Sequence, residues 1–223
     1  MDKLEKFLQI IGYQFKNSSL LEEALTHPSL SKTSHTANYQ RLEFLGDAVL
    51  GMVIAEILIK KYPAENEGAL SRRQAHLVSG DVLSQVAQNI GISEVLKLSE
   101  GENIIGGKTN KKNLENACEA LIGAIYLDSG LESCQEFILK NWQKIIDENQ
   151  TPPQDPVSLL QEIVQSKSKK SPIYDIKQTG GNSHQPVFTA TLEIDQKQYS
   201  ALGSSKKEAQ KNAAILALDD LNS

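Results

Sequence analysis

The sequence predicts two successive folds: an all-α segment over residues 1–148, then a small α+β segment in α-β-β-β-α order over residues 156–223. Three observations carry this. Apolar residues recur at helical spacing, without strand-like alternation, as far as about residue 148. Residues 149–155 are polar, contain Pro152 and Pro153 and run into Pro156, as a linker does. Beyond them, alternating segments separated by turn residues lie between a leading helix and an alanine-rich closing one.

The elements follow in order. Leu4, Phe7, Leu8 and Ile11 mark a first helix, and Ser18 or Ser19 caps a second that runs through Leu25. A long apolar helix extends from Tyr39 to Tyr62 and stops at Pro63. The next starts near Gly68 and runs toward Ile90, ended by Gly91. Residues 112–128 and 131–148 complete the first segment. In the second, Pro156–Lys167 reads as a helix, and Ile173–Gln178, Val187–Ile194 and Gln198–Gly203 as strands. Gly180-Gly181-Asn182 and Asp195–Lys197 supply the turns, and Ser205–Leu221 forms the closing helix.

Composition narrows the classes. Hydrophobic residues make up 39% of 223, which allows ordinary cores. No apolar run reaches the roughly 18–20 residues of a membrane span, and the acidic N-terminus lacks a signal-peptide layout. Cys118 and Cys134 have no metal-finger or CxxC spacing; buried reduced thiols and a cytoplasmic location are expected. The net charge of −5 argues against nucleic acid, but it is unevenly placed. Residues 155–223 hold 8 basic and 8 acidic groups, with lysines clustered at 167–177 and at 206–211. A local basic face matters more for phosphate contact than the total charge.

Two helices carry acids among apolar neighbours. Glu43 and Asp47 stand four apart and share a face, and Asn116 and Glu119 stand three apart. Each stripe reaches a glycine, Gly51 or Gly123, where two helices would approach closely. Carboxylates in such surroundings repel one another and resist burial, and a divalent cation such as Mg²⁺ would relieve both. Acids simply facing solvent on amphipathic helices remain the alternative from spacing alone.

Residues 40–50, QRLEFLGDAVL, closely resemble the signature of the ribonuclease III family. Residues 115–124, ENACEALIGA, look like that family's second acidic helix, and Glu67-Gly68-Ala69-Leu70-Ser71 matches a third block. The resemblance covers about residues 5–220 and implies an all-α endonuclease domain, followed by a double-stranded-RNA-binding domain. It implies that Glu43 and Glu119 ligate Mg²⁺, or Mn²⁺ as a substitute, with Asn116 at a third ligand position. Asp47 and Glu119 become the catalytic acids, Asp47 orienting or deprotonating the attacking water. Glu67 becomes a peripheral acid, otherwise a solvated loop residue. Phe44 becomes a contact of a homodimer, otherwise a core residue. Two positions depart from the pattern: Gln40 stands where the signature begins with Glu, and Asn116 where the family has an acid.

Residues 155–221 resemble a double-stranded-RNA-binding domain, most specifically through Gly203-Ser204-Ser205-Lys206-Lys207-Glu208-Ala209-Gln210-Lys211. Lys206 and Lys207 at a helix N-terminus, with Lys211, would clamp phosphate. Gln210 replaces a basic residue often found there. The resemblance assigns Gln161, Glu162 and His184 to minor-groove contacts, where such domains read A-form shape and 2′-hydroxyls. The expected function is metal-dependent hydrolysis of double-stranded RNA, giving 5′-phosphate and 3′-hydroxyl ends. Expected substrates are ribosomal precursors and structured messages, with no membrane partner. The competing reading is an RNA-binding scaffold that has lost cleavage, favoured by Asn116.

Overall fold

The computed structural model describes residues 2–31, 37–148, 155–168, 171–182 and 185–221. The chain forms two compact units, residues 1–153 and 154–223, each with its own apolar core.

In the first unit, α1 (Lys3–Ile11) opens on a capping box made by Asp2 and Glu5 and closes at Gly12, whose φ of 68° suits glycine. Helix α2 (Ser18–Ala24) is capped by Asn17 rather than by either serine: the Asn17 side chain accepts the Ser19 N–H at 3.0 Å. Asn17 is held in the extended conformation a cap needs because Asp128 accepts its own N–H at 2.8 Å. After a single turn, α3 (Pro28–Ser31), comes α4 (Gln40–Lys61), the apolar helix expected from the sequence.

The single helix expected from Gly68 to Ile90 is instead two, α5 (Glu67–Leu77) and α6 (Gly80–Asn89). Ser79 breaks the run. It takes extended geometry (φ −70°, ψ 151°) and its hydroxyl accepts the Val82 N–H, so a new N-terminus is more favourable there than continuation. Four short helical pieces went unpredicted: α3, α7 (Ile92–Val95), α8 (Glu100–Ile104) and a 3₁₀ turn at Gly107–Thr109. Helices α9 (Lys111–Ser129) and α10 (Leu131–Glu148) fall where the apolar spacing puts them.

Helix α9 lies at the centre of this unit. Eleven of its residues are buried, including Leu114, Leu121 and Ile122, and it packs chiefly along α4, where Leu50 and Ile54 are fully buried. Trp142 on α10 closes the core and satisfies its indole N–H on the Leu77 carbonyl at 2.9 Å. Cys118 and Cys134 are both free and buried, as the sequence implied. No helix among the described residues is long and apolar enough to cross a membrane.

The second unit runs α11 (Pro156–Ser168), β1 (Tyr174–Asn182), β2 (Gln185–Ile194), β3 (Lys197–Gly203) and α12 (Lys206–Leu221), the expected order. The three strands form an antiparallel sheet in the order β1-β2-β3. Asp195 and Gln196 both have positive φ, the pattern of a tight two-residue hairpin turn. Gly180-Gly181-Asn182, read as a turn, is instead the end of β1: Gly180 pairs with Val187 and Asn182 with Gln185. A register shift between Gln178 and Gly180 absorbs one residue, and Gly181 supplies a φ of 77°. Ile173 stays outside the strand and is 84% exposed. The alanines of α12 (Ala209, Ala213, Ala214, Ala217) are fully buried, which lets the helix lie close to the sheet beside Leu160, Ala190 and Leu192.

Candidate active site and nucleic-acid interface

Two glycines bring the acidic residues together. A Cβ on Gly46 would lie 1.7 Å from the Glu119 carbonyl oxygen, and one on Gly123 would lie 2.2 Å from that of Leu42. At these points the α4 and α9 backbones touch. Gly46 therefore has the role expected of Gly51; Gly51 faces the flexible Gln74 side chain at 3.7 Å and makes no close helix contact. The approach sets Glu43 and Asp47 of α4 beside Glu119 of α9.

Glu119 is 7% exposed, Glu43 partly buried and Asp47 exposed. Burial raises the Glu119 carboxyl to about 7, helped by the negative charges of Asp47, Glu115 and Glu43 and opposed by Lys112. Burial likewise raises Glu43, with Lys112 opposing and Glu115 and Asp47 adding. No hydrogen-bond donor among the described residues relieves either acid. The cluster is thus short of positive charge.

Asn116 stands in the same wall. Its amide engages the hydroxyl of Tyr39, itself 2% exposed and raised to about 12, chiefly by burial. Asn116 Oδ1 is buried without a hydrogen-bond partner. Such an orphan acceptor costs about 1–3 kcal/mol. All-oxygen donors, an unpaired buried amide oxygen and a shortage of positive charge suit a hard divalent cation. Among the described residues, no three His, Cys, Asp or Glu side chains already converge on one point. The acids are neighbours rather than a finished cage.

Two residues that the sequence reading passed over belong here. Glu115 and Lys112 pair at 3.0 Å, and both bear on the charge balance of Glu43 and Glu119. Their signal was available: Glu115 and Glu119 stand at the same i,i+4 spacing as Glu43 and Asp47. His27 supports the wall from behind, with one ring nitrogen 3.2 Å from Asn113 Oδ1 and an edge-on contact with Tyr39. Glu67 lies in the exposed first turn of α5 and accepts a local hydrogen bond from Ser71 at 3.0 Å.

Phe44 is not a core residue. It is 81% exposed and borders a shallow recess with Leu20, Gln40, Arg41, Leu45 and Leu127. In the second unit, Lys206 and Lys207 open α12 and Lys211 follows one turn on, all exposed. Ser205 caps the helix by accepting the Glu208 N–H at 3.1 Å, and Glu208 accepts the Ser204 N–H at 2.7 Å. Gln161 and Glu162 are exposed on α11. His184 lies outside the described residues.

Comparison with known proteins agrees with both units. Residues 17–146 match the model of a family described as ribonuclease-III-like, and residues 156–221 match the double-stranded RNA binding motif. Ribonuclease 3 of Ehrlichia canis is 46% identical over 98% of this chain and 97% of its own length. Ribonuclease 3 of Wolbachia from Culex pipiens is 43% identical over 96% and 94%. The nuclease domain of ribonuclease III from Campylobacter jejuni has a TM-score of 0.61 at 39% identity, over 63% of this chain and 96% of that one. None of these findings favours a scaffold that has lost cleavage. Sequence, fold and relatives agree: this chain belongs to the ribonuclease III family, the endoribonucleases that here couple a helical nuclease domain to a double-stranded-RNA-binding domain.

Proposed function

We propose that the chain cuts both strands of duplex RNA as a homodimer, using a divalent cation at the α4–α9 acid cluster. Mg²⁺ is the natural ion, Mn²⁺ a substitute, and the ends are 5′-phosphate and 3′-hydroxyl. The observation that carries this is the pair formed by buried, charge-strained Glu119 and the unpaired Asn116 Oδ1. Glu43, Glu119 and Asn116 would hold the ion. Once bound, it supplies an activated water and neutralises charge on the phosphate.

Asp47, the exposed acid of the group, would orient the attacking water and take its proton. The water oxygen bonds to phosphorus as the bond to the 3′-oxygen breaks, and that oxygen leaves as a hydroxyl. Glu67, with its carboxylate already engaged by Ser71, is peripheral.

The RNA-binding unit would hold the duplex through Lys206, Lys207 and Lys211 on phosphates. Gln161, Glu162 and His184 would lie in minor grooves. One cluster per chain cuts one strand, so two-strand cleavage needs two chains. The exposed Phe44 beside its recess supports a self-complementary contact. The Campylobacter nuclease domain, too, has a region involved in dimer formation. Residues 149–155 are the proposed linker; ribosomal precursors and structured messages in the cytoplasm are the proposed targets.

The test uses purified protein and a long RNA duplex. Glu119→Gln, or EDTA, is expected to abolish cleavage in Mg²⁺ while gel-shift binding of the duplex persists. Cleavage by Glu119→Gln at the wild-type rate would refute the site assignment.

A further inference from the structure

Helix α9 carries one more acid in this wall. Glu115 precedes Asn116 and stands four residues before Glu119, so the two carboxylates share a helix face. Its side chain is only 21% exposed. Its negative charge therefore adds to that of Glu119 on one face of the helix.

The Glu115 carboxylate is held from two sides. Lys112 Nζ meets Oε1 at 3.0 Å. Opposite, the carboxylate lies over Gly80, where a Cβ would come within 2.7 Å of Oε2 and 2.9 Å of the carboxyl carbon. Gly80 is the first residue of α6, directly after its cap Ser79, so the positive end of that helix faces the acid. A glutamine here would fill the same space without adding repulsion to the cluster.

Asn116 offers an oxygen but no charge. Affinity in an oxygen site depends on the number of charged ligands. We infer that Glu115 supplies the acidic cluster with the negative charge that Asn116 lacks, and that Lys112 is its counter-ion until a divalent cation takes over that role. This rests on the cation-dependent reading given above. Glu115 acts as a positioning charge beside the ligands, and it distinguishes the two basic groups on this turn: Lys112 belongs to the cluster, whereas Lys111 pairs away from it with Asp81 at 2.9 Å.

The test is direct binding of Mn²⁺ to the full-length protein, followed by electron paramagnetic resonance of the free ion, with Mg²⁺ as competitor. Glu115→Gln is expected to weaken binding by about tenfold or more, the scale of losing a supporting group beside metal ligands. Lys112→Gln should tighten it, because a competing cation is gone. Adding Asn116→Asp to Glu115→Gln should return affinity to near the wild-type value. A Glu115→Gln protein that binds Mn²⁺ like wild type overturns the inference, as does equal weakening by Glu115→Gln and Lys112→Gln, which would make the pair purely structural. Wild-type protein that binds no Mn²⁺ would instead sink the cation-dependent reading, and this inference with it. Thermal melts without metal keep folding in view: Glu115→Gln should melt no lower than wild type.

Discussion

Gly46 of α4 and Gly123 of α9 face each other so closely that a Cβ on either would lie 3.0–3.1 Å from the other's backbone nitrogen. The same Cβ atoms would overlap the carbonyls of Glu119 and Leu42. Backbone meets backbone here, and neither side can rotate away. The contact is what makes one cluster of acids carried on two helices.

Gly46→Ala should therefore be severely destabilising, by about 3 kcal/mol or more, since overpacking against main chain has no cheap relaxation. Gly51→Ala is the control. Its nearest neighbour is a flexible amide at 3.7 Å, so helix propensity decides, and up to about 1 kcal/mol of stabilisation is expected. Urea unfolding of both variants checks this; equal effects would contradict the geometry.

Glu119 sets a pH dependence in the metal-free protein. Its carboxyl is raised in the folded state to about 7, above its value in the unfolded chain. Between the unfolded value and about 7 the folded state holds the extra proton, so stability falls as pH rises through this window. The effect is at most a few kcal/mol. Melting in EDTA should give a higher Tm at pH 5 than at pH 8 from this group, and Glu119→Gln should flatten the difference and raise Tm at pH 8. A wild-type profile unchanged by the substitution would contradict the assignment.

Phe44 should govern assembly. Its ring, 81% exposed, adjoins a recess lined by Leu20, Leu45 and Leu127, an apolar patch of the kind that protein contacts cover. Phe44→Asp is expected to shift sedimentation of the full-length protein from dimer to monomer at micromolar concentration. Metal binding to each chain should be unaffected, since none of Glu43, Asp47 and Glu119 lines the recess beside Phe44. Persistence of the dimer would place the interface elsewhere.

Lys206 and Lys207 should govern RNA affinity. Substituting both with alanine should weaken duplex binding and reduce the slope of log affinity against log salt by between one and two. The secondary structure should survive, because Ser205 caps α12 independently of either lysine. An unchanged slope would show that the phosphates are held by other groups.

Much of the molecule was legible from residue order. The spacing of apolar positions located α4, α9 and α10 almost to the residue, because long apolar runs at helical spacing must be buried whatever their partner. The α-β-β-β-α order of the second unit was equally plain. Spacing failed where a local competitor intervened. Val78, Val82 and Leu83 sustain an apolar pattern across the break between α5 and α6, and only the Ser79 hydroxyl, turned onto the Val82 N–H, divides them. The glycines at 180 and 181 have turn chemistry, yet pairing with Val187 and Pro186 draws them into β1.

The sequence by itself determined the two folds and the family, and it set acids at 43, 47 and 119 among apolar neighbours, because periodicity and motif are properties of residue order. Tertiary structure decided which glycines make the close contact, that Phe44 is exposed and that Asn116 Oδ1 has no partner. It also decided that Glu115 and Lys112 stand among the acids. Each of these depends on how elements distant in the chain pack together. Burial and charge act through distance in space rather than along the sequence.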